Sequence, residues 1–312
     1  MKSYTIISFI FLLINCNAFK AFCQEKVINF PNAESTNEII SKLASDEFMG
    51  RAPGTKGFND AAEYVENYLK NAGVKPFFGN SFRDSVNVRG KESYNIVGLV
   101  GEKNNGKEFI IIGAHLDHLG LLKLDIDSVY NGANDDASGV TAVMQIASTI
   151  SNLNLKKNVI IALFTGEESG LIGSKHLAKK IKNDKIDLKY MVNFEMIGKT
   201  LSTGEGNVYL TGFEKSNMAE EMNKVIYGQF VTYLPEEIIY NLFKRSDNYA
   251  FFKEMNIPSQ TLSSFDFKNY AYYHKAKDEV DELDVENMNL IIKKSIEVIV
   301  KLIENDVKIL LK

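Results

Sequence analysis

Cysteine is nearly absent: the 312-residue chain has two, Cys16 and Cys23, and both lie close to the N-terminus. If that segment is removed, nothing remains for a disulfide, a thiolate metal ligand or a cysteine nucleophile. Any metal must then be held by histidine and carboxylate, which favours zinc or a similar first-row ion. Histidine is scarce too, with only His115, His118, His176 and His274. A strong charge of either sign is missing. With 40 acidic and 36 basic residues the net charge is −4, and the pI is near 5.7. That excludes a basic footprint for nucleic acid or an electrostatic membrane patch. The uninterrupted apolar core near the front, Phe9 to Ile14, is far too short to span a bilayer. There is no internal repeat, low-complexity tract or Pro/Ser-rich linker, and no Gly-x-Ser-x-Gly elbow of the kind a serine hydrolase uses.

What is there begins with Lys2, the apolar stretch Tyr4 to Ile14, and then small and polar residues. This is the pattern of a signal-peptide h-region, with cleavage after Ala18 or Cys23. The expected organisation is a leader over 1–23 and one domain over 24–312, secreted or periplasmic. Leu13-Ile14-Asn15-Cys16 is a poor lipoprotein box and offers a lesser route, lipidation of Cys16.

Hydrophobic periodicity predicts helices over 37–43, 57–72, 138–150, 171–181, 216–227, 247–254 and 285–303. Strands are predicted over 94–100 and 108–114, joined by a polar turn, and over 158–164, 190–195, 207–211 and 258–262. Strands that alternate with helices, several of them continuous apolar runs, predict an α/β fold. Its central sheet is mostly parallel and covered by helices on both faces. Ligands in such folds bind beyond the carboxyl ends of the strands.

Polar clusters stand at several of those ends. Thr165-Gly166-Glu167-Glu168-Ser169-Gly170 puts two carboxylates straight after the apolar run Val159 to Phe164. Charges there are costly unless paired or bound to a cation. Neighbouring residues point in different directions, so one carboxylate can bind a metal while the other handles a proton. His115 follows the apolar strand Phe109 to Ala114, and Asp117 is suited to holding its imidazole from behind a metal. His118 is the alternative ligand but lies further out in the loop, and His176 reads as a solvated residue of a Lys-rich helix. Asn134-Asp135-Asp136 opens a helix; capping accounts for Asp136 or Ser138 but does not need three polar residues in a row. Glu195 follows another buried strand. Several such carboxylates with two well-placed histidines make a bound multivalent cation the simplest account, and a metal-dependent hydrolase the implied class.

Five ordered motifs, taken together, resemble the M28 family of di-zinc aminopeptidases. They are His115-Leu116-Asp117, Asn134-Asp135-Asp136-Ala137-Ser138-Gly139, Gly166-Glu167-Glu168-Ser169-Gly170, Asn193-Phe194-Glu195-Met196-Ile197-Gly198 and Tyr273-His274. Ala44 to Arg51, Arg245-Ser246-Asp247-Asn248 and Ile257-Pro258-Ser259 extend the resemblance over nearly all of the mature chain. It implies the zinc-peptidase (phosphorylase/hydrolase-like) fold, a pair of Zn2+ ions per chain, and peptide substrates with a free N-terminus. It makes Asp135 the carboxylate shared by both metals, with His115 and Glu195 on one and Glu168 and His274 on the other. Many members carry Asp at the position of Glu195. The resemblance also makes Glu167 the general base and Tyr273 a donor to the oxyanion. Tyr273 reads equally as a packed aromatic among Phe267, Tyr270 and Tyr272, and Asp278 as an orienting or turn-capping acid. A glutaminyl-cyclase-like acyltransferase is the alternative chemistry on this fold. A non-catalytic binding domain would be marked by missing ligands, and all five are present.

Overall fold

The computed structural model describes residues 28–103, 105–122 and 128–312; the expected leader over 1–23 lies outside them. Four parallel strands form the centre of the sheet, in the order β7 (Asn158–Phe164), β4 (Phe109–His115), β8 (Leu188–Phe194) and β11 (Ser259–Ser263). Every residue of β4 and β7 is buried, which is why both read as unbroken apolar runs rather than as alternating ones. The antiparallel β3 (Lys91–Val100) flanks β7 and pairs in turn with β1 (Lys75–Pro76) and β2 (Arg83–Val88). On the far side, β9 (Val208–Leu210) runs antiparallel to β11 and parallel to β10 (Val231–Thr232). A separate two-stranded ribbon pairs β5 (Gly120–Leu121) with β6 (Val129–Tyr130).

Alternation along the strands divides the core in two. Ile110, Ile112, Val159, Ile161, Leu163 and Val192 face a large cluster with α1 (Ala33–Leu43), α2 (Lys56–Asn71), α3 (Gly139–Ser151) and α8 (Val285–Glu304). Ile111, Ile160, Ala162, Phe164 and Met191 face a smaller one with α4 (Ile172–Asn183) and α7 (Asn248–Met255). Each large side chain buried this way contributes about 1.5–3 kcal/mol. The remaining helices, α5 (Met218–Val225) and α6 (Glu236–Ile239), lie towards the β9–β10 edge.

Strand β7 spans the residues expected of it, and the other predicted elements differ by a few residues at their ends. The exception is α1, which begins at Ala33 because Asn32 and Ser35 form a reciprocal cap ahead of the apolar face. The segment with the expected polar turn joins β3 to β4 in the chain, though the two are not neighbours in the sheet. β3 and β4 follow each other in the chain, but β7 lies between them, hydrogen-bonded to both. No helix of the described residues is long and apolar enough to cross a membrane.

Candidate active site

Because β4, β7 and β8 run parallel, their carboxyl ends fall side by side. His115 is the last residue of β4, Glu167 and Glu168 stand in the turn between β7 and α4, and Glu195 directly follows β8. That turn is closed by Glu167 O, which accepts from the backbone N–H groups of Gly170 and Leu171. Asp117 Oδ1 holds it from the neighbouring loop by accepting from Glu167 N at 3.2 Å.

The fourth contribution is the turn at Asn134-Asp135-Asp136. Asp278 sits beneath it, its Oδ1 accepting from Asn134 N at 2.7 Å and its Oδ2 from Asp135 N at 3.1 Å. Tyr270 steadies Asp278 with a hydroxyl donated at 2.6 Å. Asp278 therefore orients the Asp135 turn from the segment that carries His274. Asp136 is turned away from the cleft and gathers two strand ends and a helix start: Oδ1 accepts from Gly139 N and Met196 N, each at 3.0 Å, and Oδ2 from His115 N at 3.3 Å. Asp136 is thus a cap, and Asp135 is left free to face the site.

Asp135 lies between two histidines, with His115 Nε2 3.1 Å from its Oδ1 and His274 Nε2 3.2 Å from its Oδ2. Glu168 Oε1 is 3.2 Å from the same His274 nitrogen. These separations match the edge of a zinc coordination tetrahedron, roughly 3.3–3.5 Å for bonds of about 2.0–2.1 Å. The tautomer of His115 tells the same story. Its Nδ1 donates to a carbonyl oxygen at 2.9 Å, so in the neutral ring the Nε2 lone pair points at a carboxylate. A proton on Nε2 or a bound cation must come between them, and the neighbouring carboxylates favour either. Neither His115 Nε2 nor Glu195 Oε2, both buried, has a hydrogen-bond partner among the described residues. The donor set fits a cation.

Two features depart from the sequence reading. The acceptor behind His115 is the backbone carbonyl of Asp117 and not its carboxylate, which accepts from Glu167 N instead. His118, set aside as too far along its loop, stands inside the site. Its Nδ1 is 3.0 Å from Glu168 Oε1 and 3.9 Å from Asp135 Oδ2. The loop is curled inward by Arg51, a wholly buried guanidinium that donates to the carbonyl oxygens of Leu116, Leu43, Asn131 and Gly132. Arg51, at the end of the Ala44 to Arg51 motif, was the available signal for that fold-back, and it stands 65 residues before Leu116. His176, by contrast, is exposed on α4, 3.5 Å from Asp84 and away from the site.

Electrostatics divide the carboxylates. Burial resists ionisation of Asp135, but His118, His115 and His274 overcome it and hold its carboxyl well below the usual range. Burial also leads for Glu167, reinforced by Glu195, Asp247 and Glu168, and raises its pKa well above the usual range despite His115. The same cause lifts Glu195 to about 7 and Asp117 to about 6. His274 rises to about 10, where burial is outweighed by Asp135 and Glu168.

A cleft of about 300 Å3 opens above this cluster, lined by Asp135, Glu167, Glu168, Glu195, Tyr273 and His274, with Arg245, Leu242 and Phe267 on its wall. Tyr273 stacks on the His274 ring at 4.0 Å between centroids and packs on Phe265 at 5.5 Å. Burial and the nearby Asp135, Glu195 and Glu168 keep its hydroxyl protonated. Tyr273 is therefore a packed aromatic that also lines the cleft.

The fold is that of the zinc-peptidase class, a mixed and mostly parallel sheet under helices. Residues 95–299 match the model of peptidase family M28, and the chain belongs to that family. It is 25% identical over 232 residues to a probable leucine aminopeptidase of Trichophyton verrucosum, a match that covers 72% of this chain and 58% of that protein. Among solved structures it is similar to the LapA aminopeptidase of Legionella pneumophila (20% identity, TM-score 0.67, 90% of this chain and 75% of that one). It is also similar to a glutaminyl cyclase of Bacteroides thetaiotaomicron (18% identity, TM-score 0.66, 88% of this chain and 99% of that one). The chain spans 24% of the length of the first curated relative it matches, a probable zinc metalloprotease, and 58% of the leucine aminopeptidase.

Proposed function

We propose that this protein is a zinc-dependent aminopeptidase that removes N-terminal residues from peptides through a co-catalytic pair of zinc ions. The observation that carries the reading is the approach of His115, Asp135, Glu168 and His274, whose donor atoms stand 3.1–3.2 Å apart while His115 Nε2 makes no hydrogen bond among the described residues. Asp135 would be shared, with His115 and Glu195 completing one ion's shell and Glu168 and His274 belonging to the other's. Bound there, the ions would supply Lewis acidity towards the scissile carbonyl and ready a water for attack at neutral pH.

The protein's own groups do the rest. Glu167 has no part in either shell, faces the cleft and holds a proton more readily than an ordinary carboxylate. It takes the proton of the attacking water and returns it to the departing amine. Tyr273 keeps its proton and donates a hydrogen bond to the carbonyl oxygen as charge gathers there. Asp117 fixes Glu167 through the backbone bond at 3.2 Å and His115 through its carbonyl. The cleft would take the N-terminal end of a peptide, with its free amine near the zinc pair.

The purified protein should carry about two zinc ions per chain and release the first residue of aminoacyl substrates. A chelator should abolish turnover and added zinc restore it; full activity in metal-free protein would reject the proposal. Glutaminyl peptides belong in the same assay. The likeness to a glutaminyl cyclase over 99% of that chain makes intramolecular acyl transfer the second reading, distinguished by a cyclised product. We propose further that 1–23 is a leader removed on export to the periplasm or medium, with 24–312 as one peptidase domain. N-terminal mass spectrometry of the native product tests this, and a lipid on Cys16 would replace secretion with anchoring.

A further inference from the structure

His118 is only 1% exposed, and its position is fixed from three sides. Its backbone N–H donates to Arg51 O, while Arg51 Nε donates to Leu116 O two residues earlier, so the loop is pinned around it. Its ring lies against the turn before Asp135. Gly132 there has a φ of 57°, and a Cβ at that position would stand 2.5 Å from His118 Cδ2. Only glycine leaves the ring room to enter the site.

What the ring reaches is telling. His118 Nδ1 approaches Glu168 Oε1 and Asp135 Oδ2, the same two oxygens that His274 Nε2 approaches at 3.2 Å each. The donor atoms of His118, Asp135 and Glu168 all lie within 4.8 Å of one another. Its other ring nitrogen, Nε2, is buried and has no hydrogen-bond partner among the described residues, so the carboxylate pair is the one polar contact that the ring makes. A histidine placed only to orient Glu168 would need just one of those oxygens.

We infer that His118 is a fourth protein ligand of the metal held by Asp135, Glu168 and His274. This rests on the two-metal reading above. One metal is then enclosed by four protein side chains, and the other keeps only His115, Glu195 and Asp135. Enclosed shells bind tightly and hold; shells with an open position are where substrate and water enter. The two ions are therefore unequal. The His118 metal fills first and leaves last, and the His115–Glu195 metal is the exchangeable one that meets the substrate.

Zinc titration against a chromophoric chelator, with the full protein, reads both affinities. The wild type should bind two zinc ions with at least about a tenfold difference, and His118→Ala should weaken the tighter one by about 10–100-fold while the weaker one changes little. His118→Asn should show the same loss, because it can still donate to Glu168 but cannot replace an imidazole. Wild-type affinity in His118→Asn would overturn the assignment and leave a hydrogen-bonding role. X-ray absorption of wild-type protein with one equivalent of zinc needs no variant: two imidazoles on the metal are expected, and one overturns the inference. If the wild type binds only one zinc in total, the two-metal reading fails, and the imidazole count on that ion still decides the role of His118.

Discussion

The two halves of the site are built on opposite electrostatic terms. Around His274, each carboxylate has an imidazole beside it: Glu168 Oε1 faces His118 and His274, and Asp135 Oδ2 faces the same pair. Burial works against Glu168 as everywhere here, yet those two histidines bring its pKa below the ordinary value. Around His115 the count reverses. Glu195, Asp117, Asp247 and Glu167 crowd one imidazole, and burial lifts Glu195 and Asp247 to about 7. The His274 half already holds its carboxylates ionised, whereas the His115 half requires a cation to ionise its acids. Metal dependence of stability should therefore concentrate on the His115 side.

The largest expected effect lies where the halves meet. Glu167→Gln should lower kcat by about 10²–10⁴-fold with zinc content unchanged, because it removes a proton carrier and no ligand. Glu168→Gln should lose zinc as well as activity. Parallel kinetics and metal analysis compare the two, and equal zinc loss in both would break the division between base and ligand.

Arg51 comes next, since it stitches the His115–His118 loop to the Asp135 turn and so holds both halves in register. Arg51→Met takes the guanidinium from four buried carbonyl oxygens, of which Gly132 O still accepts from Ala137 N; a loss of about 3 kcal/mol in denaturant unfolding is expected. Arg51→Lys should recover only part of it, because an ammonium cannot reproduce the planar fork. A full recovery would show that charge alone matters there.

A smaller effect is expected on metal affinity. Glu195→Ala and His115→Ala should weaken the same zinc, by about tenfold or more, and leave the other in place. Glu195→Asp should be milder, keeping the charge and shortening the reach. Titration showing wild-type affinity for both ions in Glu195→Ala would make Glu195 a structural acid only.

The mildest test is the pH dependence of the metal-free protein. Folding raises Asp117 from 3.8 to about 6, Asp247 from 3.8 to about 7 and Glu195 from 4.5 to about 7. The folded state then binds more protons than the unfolded one between those limits, so stability is greatest near pH 4 and falls as pH rises towards 7. Thermal unfolding of chelated protein should show that decline, and added zinc should flatten it. Asp247→Asn should reduce the slope; a slope unchanged by zinc would mean the acids are neutralised some other way.

Much of this arrangement was legible in the chain. Asn158 to Phe164 is an unbroken apolar run of strand length, and burial on both faces leaves such a run little other choice. Glu167 and Glu168 stood out because charges directly after it need a reason. β2 escaped notice because its inward residues are Asp84, Val86 and Val88, and a buried aspartate breaks the apolar alternation. Asp247 read as a helix start, and it does precede α7, but its side chain makes no capping bond and is buried beside Glu195 and Asp117.

The sequence by itself determined the parallel centre of the sheet, the strand ends and the chemical types gathered there. Those follow from local periodicity and from the cost of burying charge, which nearby residues already express. The tertiary structure decided that β7 separates β3 from β4, that Asp136 caps while Asp135 faces the cleft, and that His118 turns inward. Each of these depends on partners far along the chain: Leu99 with Ile160, Met196 N with Asp136, Arg51 with Leu116 and Gly132. Hydrogen bonds of that span arise only once the core has packed, and no short stretch of residues encodes them.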